Sequence, residues 1–136
     1  MSSASWALQQ AVYAALRASD AVKALAGDPP RVFDAVPRRA DFPYIVVGED
    51  SEANWDTATE PGSEHSLTIH VWSRAGGRKE SKLAAEAVRE CLDGAQLILD
   101  GHTLIDLRYL DADFTREADG ETFRAALRFR AVTEPE

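Results

Sequence analysis

Thr122-Phe123-Arg124-Ala125-Ala126-Leu127-Arg128-Phe129-Arg130-Ala131-Val132-Thr133 is the stretch that decides the fold class. Phe123, Ala125, Leu127, Phe129 and Ala131 alternate with Arg124, Ala126, Arg128 and Arg130, a period of two that sends successive side chains to opposite faces of a strand. A slip of one residue would carry every arginine into the core, so the register is well specified. Just before it, Ala118-Asp119-Gly120-Glu121 reads as a turn, because glycine tolerates the positive φ that tight hairpins demand. A second Asp-Gly pair, Asp100-Gly101, separates residues 96–99 from residues 103–111. The C-terminal third is therefore a three-stranded meander.

Further upstream, His65, Leu67, Ile69 and Val71 alternate with Glu64, Ser66, Thr68 and His70, which predicts a half-buried strand over residues 64–72. Residues 44–49 are a run of β-branched and aromatic side chains and predict a central strand, with a short strand at residues 31–34 before it. Between these two, Pro37 and Pro43 bias their preceding residues to extended conformations, so residues 36–43 read as a connector. Residues 50–63 carry Glu52, Asp56 and Glu60 among small polar residues, with Trp55 the one large apolar group, and read as the longest loop.

Two segments have the helical period instead. Leu8, Val12, Ala15, Ser19, Val22 and Leu25 predict one amphipathic helix over residues 5–26, ended by Gly27 and Asp28-Pro29-Pro30. Leu83, Ala84, Ala87, Val88 and Cys91 predict a second over residues 78–92, ended by Asp93-Gly94. The expectation is one α+β domain over residues 1–136: a mostly antiparallel sheet of five to six strands with both helices on one face.

Composition fits that expectation. The chain has 136 residues, 45% apolar and 28% charged, which is ordinary for a folded domain with one core. A net charge of −8 repels phosphate backbones and argues against nucleic-acid recognition by the chain as a whole. Cys91 is the single cysteine, so no internal disulfide can form. No apolar run approaches the roughly 20 residues that span a bilayer. Met1-Ser2-Ser3-Ala4-Ser5-Trp6 lacks the basic and apolar regions of a secretory signal, so the expected location is the cytoplasm until assembly.

Candidate chemistry is sparse. His65 and His70, five apart on one strand, face opposite ways and cannot share a metal ion. His102 beside Asp100 reads as a solvated turn, and Cys91 on an apolar helix stripe as an inert core thiol. Ala75-Gly76-Gly77-Arg78-Lys79-Glu80-Ser81 joins glycines, a lysine and a helix start, yet without the Walker spacing. Arg124, Arg128 and Arg130 form a basic stripe. They are expected to pair across strands, with Asp106 and Arg108 on the neighbouring strand, or to meet the acidic loop of an adjacent copy.

Taken together, several segments resemble the tail-completion, or tail-terminator, proteins of long-tailed phages and gene transfer agents. The most specific is Leu67-Thr68-Ile69-His70-Val71-Trp72-Ser73-Arg74, followed by Gly76-Gly77 and the second helix. The likeness continues through residues 97–109 around Asp100-Gly101-His102 and through Asp119-Gly120-Glu121-Thr122-Phe123-Arg124 to Leu127-Arg128-Phe129-Arg130. The resemblance implies a homohexameric ring that caps the head-proximal end of the tail tube, stops its polymerisation and joins it to neck or head-completion proteins. It implies no catalytic residue, cofactor or metal and no membrane contact, with DNA passing through the ring unrecognised. The expected location is the bacterial cytoplasm and then the particle; the high alanine, arginine and aspartate content suits a GC-rich prophage or gene transfer agent. Asp50, Glu52, Trp55, Asp56 and Glu60 in the long loop, Arg116 and Glu117 at the last turn, and Arg124, Arg128 and Arg130 are the candidate interface residues. The alternatives are another head-to-tail connector and, from a different class, a small enzyme or anion-binding module at Gly76-Gly77.

Overall fold

The C-terminal alternation forms the strand Phe123–Pro135, and Phe123, Ala125, Leu127, Phe129 and Ala131 are all buried while Arg128 on the other face is exposed. A computed structural model describes residues 3–136. In chain order the elements are α1 (Ala4–Ala18), α2 (Asp20–Ala26), β1 (Val32–Phe33), β2 (Tyr44–Asn54), β3 (Ser63–Ser73), α3 (Lys79–Leu92), β4 (Ile98–Leu99), β5 (His102–Arg116) and β6 (Phe123–Pro135). The six strands make one sheet in the order β1-β2-β3-β6-β5-β4. Every neighbouring pair is antiparallel except β1 with β2, so the sheet is mixed.

Four predicted elements differ. Residues 5–26 form two helices, because Ser19 is extended (φ −74°, ψ 124°) and its hydroxyl accepts the Val22 N–H at 3.3 Å. Serine here caps a new helix instead of continuing the old one. Its place in the apolar rhythm hid the break. The strand at residues 44–49 is not central: β1 covers only Ile45 and Val46 of β2, and the middle of the sheet is β3 with β6.

The predicted loop over residues 50–63 is ladder at both ends and loop only over residues 55–62. Asp50, Ser51, Glu52, Ala53 and Asn54 pair with Leu67, Ser66, His65, Glu64 and Ser63, after a register shift between Val47 and Asp50. This part of β2 is exposed, so it carries no apolar alternation to betray it. Backbone pairing to β3, whose own inner face is buried, holds it in place. In the same way β5 runs on to Arg116, beyond the expected end at residue 111, with shifts between Leu104 and Asp106 and between Tyr109 and Asp111.

The core unites one face of the sheet with the helices: Val12 and Leu16 of α1, Val22 of α2, and Val88 and Leu92 of α3 pack against Ile45, Leu67, Ile69, Leu127 and Phe129. Leu83, assigned to the buried stripe of α3, is half exposed, and Ala85 and Leu92 take up the packing on that helix.

His65 lies in this core, its Nε2 2.9 Å from the Thr133 hydroxyl. Burial pulls its pKa below the ordinary 6.5, against the smaller upward pull of Glu52 and Asp50. The unfolded chain therefore takes up the proton first, and stability falls as pH drops from about 6.5 towards the folded-state value. His65→Gln is expected to flatten the dependence of unfolding free energy on pH between about 7 and 5 in urea titrations. An unchanged slope would assign that dependence to other groups.

Candidate functional site

The face of the sheet turned away from the helices is polar, and register decides its pairing. Asp111 stands directly opposite Arg128, and the two carboxylate oxygens accept from Nε and Nη2 at 2.7 and 2.6 Å. This bidentate pair holds the Asp111 carboxyl below its ordinary range. Glu64 accepts from Arg130, and Glu117 lies 3.4 Å from the Arg124 guanidinium. Each arginine of the stripe thus has a carboxylate of its own chain.

The partners differ from those expected on β5. Arg108 stands opposite Arg130, a like-charge pair, and Asp106 of the same strand draws Arg108 aside with contacts of 2.9 and 3.1 Å. Arg130 also lies over the Trp55 ring, 4.9 Å from its centre, and Arg124 over Trp72 at 5.5 Å. On the same face His70 Nε2 sits 2.7 Å from Glu49, and this hydrogen bond lowers the Glu49 pKa. A hollow of about 520 Å³ between Glu49, His70, Asp113, Arg124 and Arg128 mixes both signs of charge. It selects neither anion nor cation.

The remaining candidate residues fall at two ends. Asp50 and Glu52 stand on β2, and Trp55, Asp56 and Glu60 at the tip of the β2–β3 hairpin. That tip is internally braced: Asp56 accepts from the Gly62 N–H at 2.9 Å, the Asn54 side chain accepts from the Asp56 N–H at 2.8 Å, and Trp55 and Gly62 share a backbone bond of 2.9 Å. Arg116 ends β5, and Glu117 begins the turn into β6. In that turn Asp119 accepts from Glu121 N, Thr122 N and the Thr122 hydroxyl at 2.9, 2.8 and 2.6 Å, which lowers its pKa to about 2. Since Ser63 pairs with Thr133 and Arg116 with Phe123, the two hairpin ends sit at opposite ends of β6. At about 3.3 Å per residue they are roughly 33 Å apart. The structure therefore joins Trp55 to Arg130 and Glu117 to Arg124, but keeps the two arms apart.

Other candidate chemistry has structural explanations. Cys91 donates to the Ala15 carbonyl at 3.4 Å, and burial raises its pKa, which disfavours the reactive thiolate. The helix start after Gly76-Gly77 already holds a carboxylate, because Glu80 lies in the first turn and accepts from the Ser73 hydroxyl at 2.7 Å. Gly76 has φ +84° and nothing within 4 Å of a built Cβ, so the turn itself requires glycine there. Among the described residues no three His, Cys, Asp or Glu side chains gather as metal ligands, and no helix is long and apolar enough to cross a membrane.

Two surfaces escaped the sequence reading. One is an apolar groove of about 510 Å³ between α1 and β1, lined by Trp6, Gln9, Gln10, Tyr13, Val32 and Phe33. The other is the rim at β5, where Ile98, Ile105 and Leu110 are 91%, 51% and 54% exposed. Ile105 and Leu110 lie at the two register shifts of β5, where bulges re-aim side chains. The adjacent apolar residues Leu104-Ile105 and Tyr109-Leu110 were the available signal, since strict alternation forbids them. Beside them Lys82 and Arg89 of α3 lie over the Phe114 and Tyr109 rings, at 4.8 and 4.4 Å.

The chain superposes on a chain of a structure described as the virion of a native gene transfer agent particle, with a TM-score of 0.89 and 36% identity, covering 98% of this chain and 99% of that one. It belongs to the family Tail completion protein gp17, whose model matches residues 10–134. It is also 28% identical over 91 residues to the Tail completion protein gp17 of Bacillus phage SPP1. That alignment covers 65% of this chain and 66% of the relative, just under two thirds of its length.

Proposed function

We propose that this chain is the subunit of a tail-terminating ring, most simply a homohexamer. The ring caps the head-proximal end of the tail tube, stops tube polymerisation and offers a second surface to the neck. The observation that carries this reading is the pair of arms about 33 Å apart, at opposite ends of one rigid sheet. A subunit standing between two partners along an axis needs two separated contact regions, and rings of identical copies repeat each region around that axis. Family membership over residues 10–134 gives the tail-completion context.

In particles made without the chain, tails are expected to be overlong and detached from heads, and a label on the restored chain to mark the head-proximal tail end. Both are read by electron microscopy. Tails of normal length that nevertheless lack heads, with the label on the head vertex, would favour a neck or head-completion subunit instead.

A further inference from the structure

The sheet has two incompletely covered edges. On one side β4 pairs only with His102 and Thr103. Gly94 N donates to the Leu107 carbonyl and Asp93 accepts from Tyr109 N, at 2.8 and 3.0 Å. Beyond them, residues 110–116 of β5 have no strand on their outer side among the described residues. On the other side β1 pairs with Ile45 and Val46 of β2, and residues 48–54 have no strand on their outer side among the described residues. Long edges of this kind invite pairing, and soluble monomers usually blunt them with charge, proline or a cover. Here one edge carries exposed Ile105 and Leu110.

The edges are complementary. On the helix side of β5 stand Lys82 and Arg89, and neither has a carboxylate within ion-pair distance among the described residues. On the helix side of β2, opposite the core residues Leu67 and His65, stand Asp50 and Glu52. Among the described residues their side chains bond only to hydroxyls, Asp50 to Ser5 at 3.2 Å and Glu52 to Ser63 at 3.1 Å. Direction also matches: from β2 through β3 and β6 to β5 the chain reverses three times, so β5 runs antiparallel to β2. Two copies related by rotation, the same way up, would bring β5 of one beside β2 of the next in the antiparallel sense, the more stable pairing.

We infer that these edges are the two halves of one contact between copies: β5 of each subunit pairs with β2 of its neighbour. Lys82 and Arg89 then face Asp50 and Glu52, and Leu110 of β5 is covered by the neighbouring β2. Such a contact joins different surfaces of identical chains, which is the condition for a closed ring and not for a twofold dimer. The inference rests on the ring reading above and specifies its subunit interface. It replaces the arginine stripe, which is already paired within the chain, with the rim of α3 and β5.

The test uses particles whose sole copy of this chain carries Cys91→Ser and new cysteines at Leu110→Cys with Ser51→Cys, or at Leu110→Cys with Ala53→Cys. Mild oxidation is expected to give a ladder of dimers, trimers and higher multimers on non-reducing gels from at least one pair, and none from Leu110→Cys alone. Completed particles in which neither pair forms a ladder overturn the edge pairing but leave the ring reading standing. A dimer from Leu110→Cys alone overturns it in favour of a twofold contact. Completed particles that do not contain the chain overturn both readings. Independently, Lys82→Glu with Arg89→Glu is expected to lower the yield of joined particles about tenfold, and Asp50→Lys with Glu52→Lys in the same chain to restore most of it. Failure of that restoration, in chains folded by circular dichroism, overturns the charge pairing.

Discussion

Phe129→Ala is expected to remove about 3–5 kcal/mol of folding free energy, the largest stability effect of a single substitution in this chain. Phe129 is fully buried in the centre of β6, flanked in the sheet by Leu67 of β3 and Tyr109 of β5. It meets the Tyr109 ring at 70° with centroids 5.8 Å apart. Truncation forfeits the burial of a whole ring and leaves a void bounded by paired strands, which cannot collapse without breaking ladder hydrogen bonds. Against a total of roughly 5–15 kcal/mol for a domain, the variant stands at the margin of folding. Urea titration at neutral pH measures it; a loss below about 1 kcal/mol would mean that the core around β6 can repack and that the sheet is less rigid than its pairing implies.

The largest functional effect is expected from the β2–β3 tip. Trp55 and Gly62 share a backbone hydrogen bond, so replacing residues 56–61 by Asn-Gly should close the same ribbon with a two-residue turn. Because the bonds of the tip are internal to it or to Asn54 and Gly62, the fold should survive with little change in unfolding midpoint. Joined particles should nevertheless fall about thirtyfold, equivalent to about 2 kcal/mol of lost contact. Counting joined and unjoined particles by electron microscopy reads this directly. Normal joining by the shortened chain would remove the tip from the contact and shift attention to the turn at Arg116 and Glu117.

Between these predictions lies a difference in what sequence can disclose. Phe129 was legible as a core residue because its neighbours alternate, a property of the local chain. The residues of the tip were legible as exposed, but the ribbon supporting them was not. Asp50, Glu52 and Asn54 look like loop because neither face of that part of β2 is buried; what orders them is hydrogen bonding to β3, which leaves no trace in their own composition. Ser19 failed as a predicted helix-interior position for a related reason: its hydroxyl satisfies a new helix start, and spacing alone does not distinguish a cap from a polar residue on a stripe.

The candidate surface was legible in its residue types and not in its pairing. The basic stripe at Arg124, Arg128 and Arg130 follows from alternation, but its partners Glu117, Asp111 and Glu64 depend on two bulges in β5 and on β3 lying beside β6. Those bulges also send Ile105 and Leu110 outward, producing an apolar rim where a regular strand would place none.

By itself, then, the sequence determined the α+β class, the order of the long elements, the buried faces of β3 and β6 and the family likeness, because periodicity and turn chemistry act over a few neighbouring residues. Tertiary structure alone decided the parallel β1, the central place of β3 and β6, the self-neutralised arginines and the two open edges. Each of these depends on which distant strands are neighbours and in what register, and a one-residue shift there changes every contact while leaving local composition untouched.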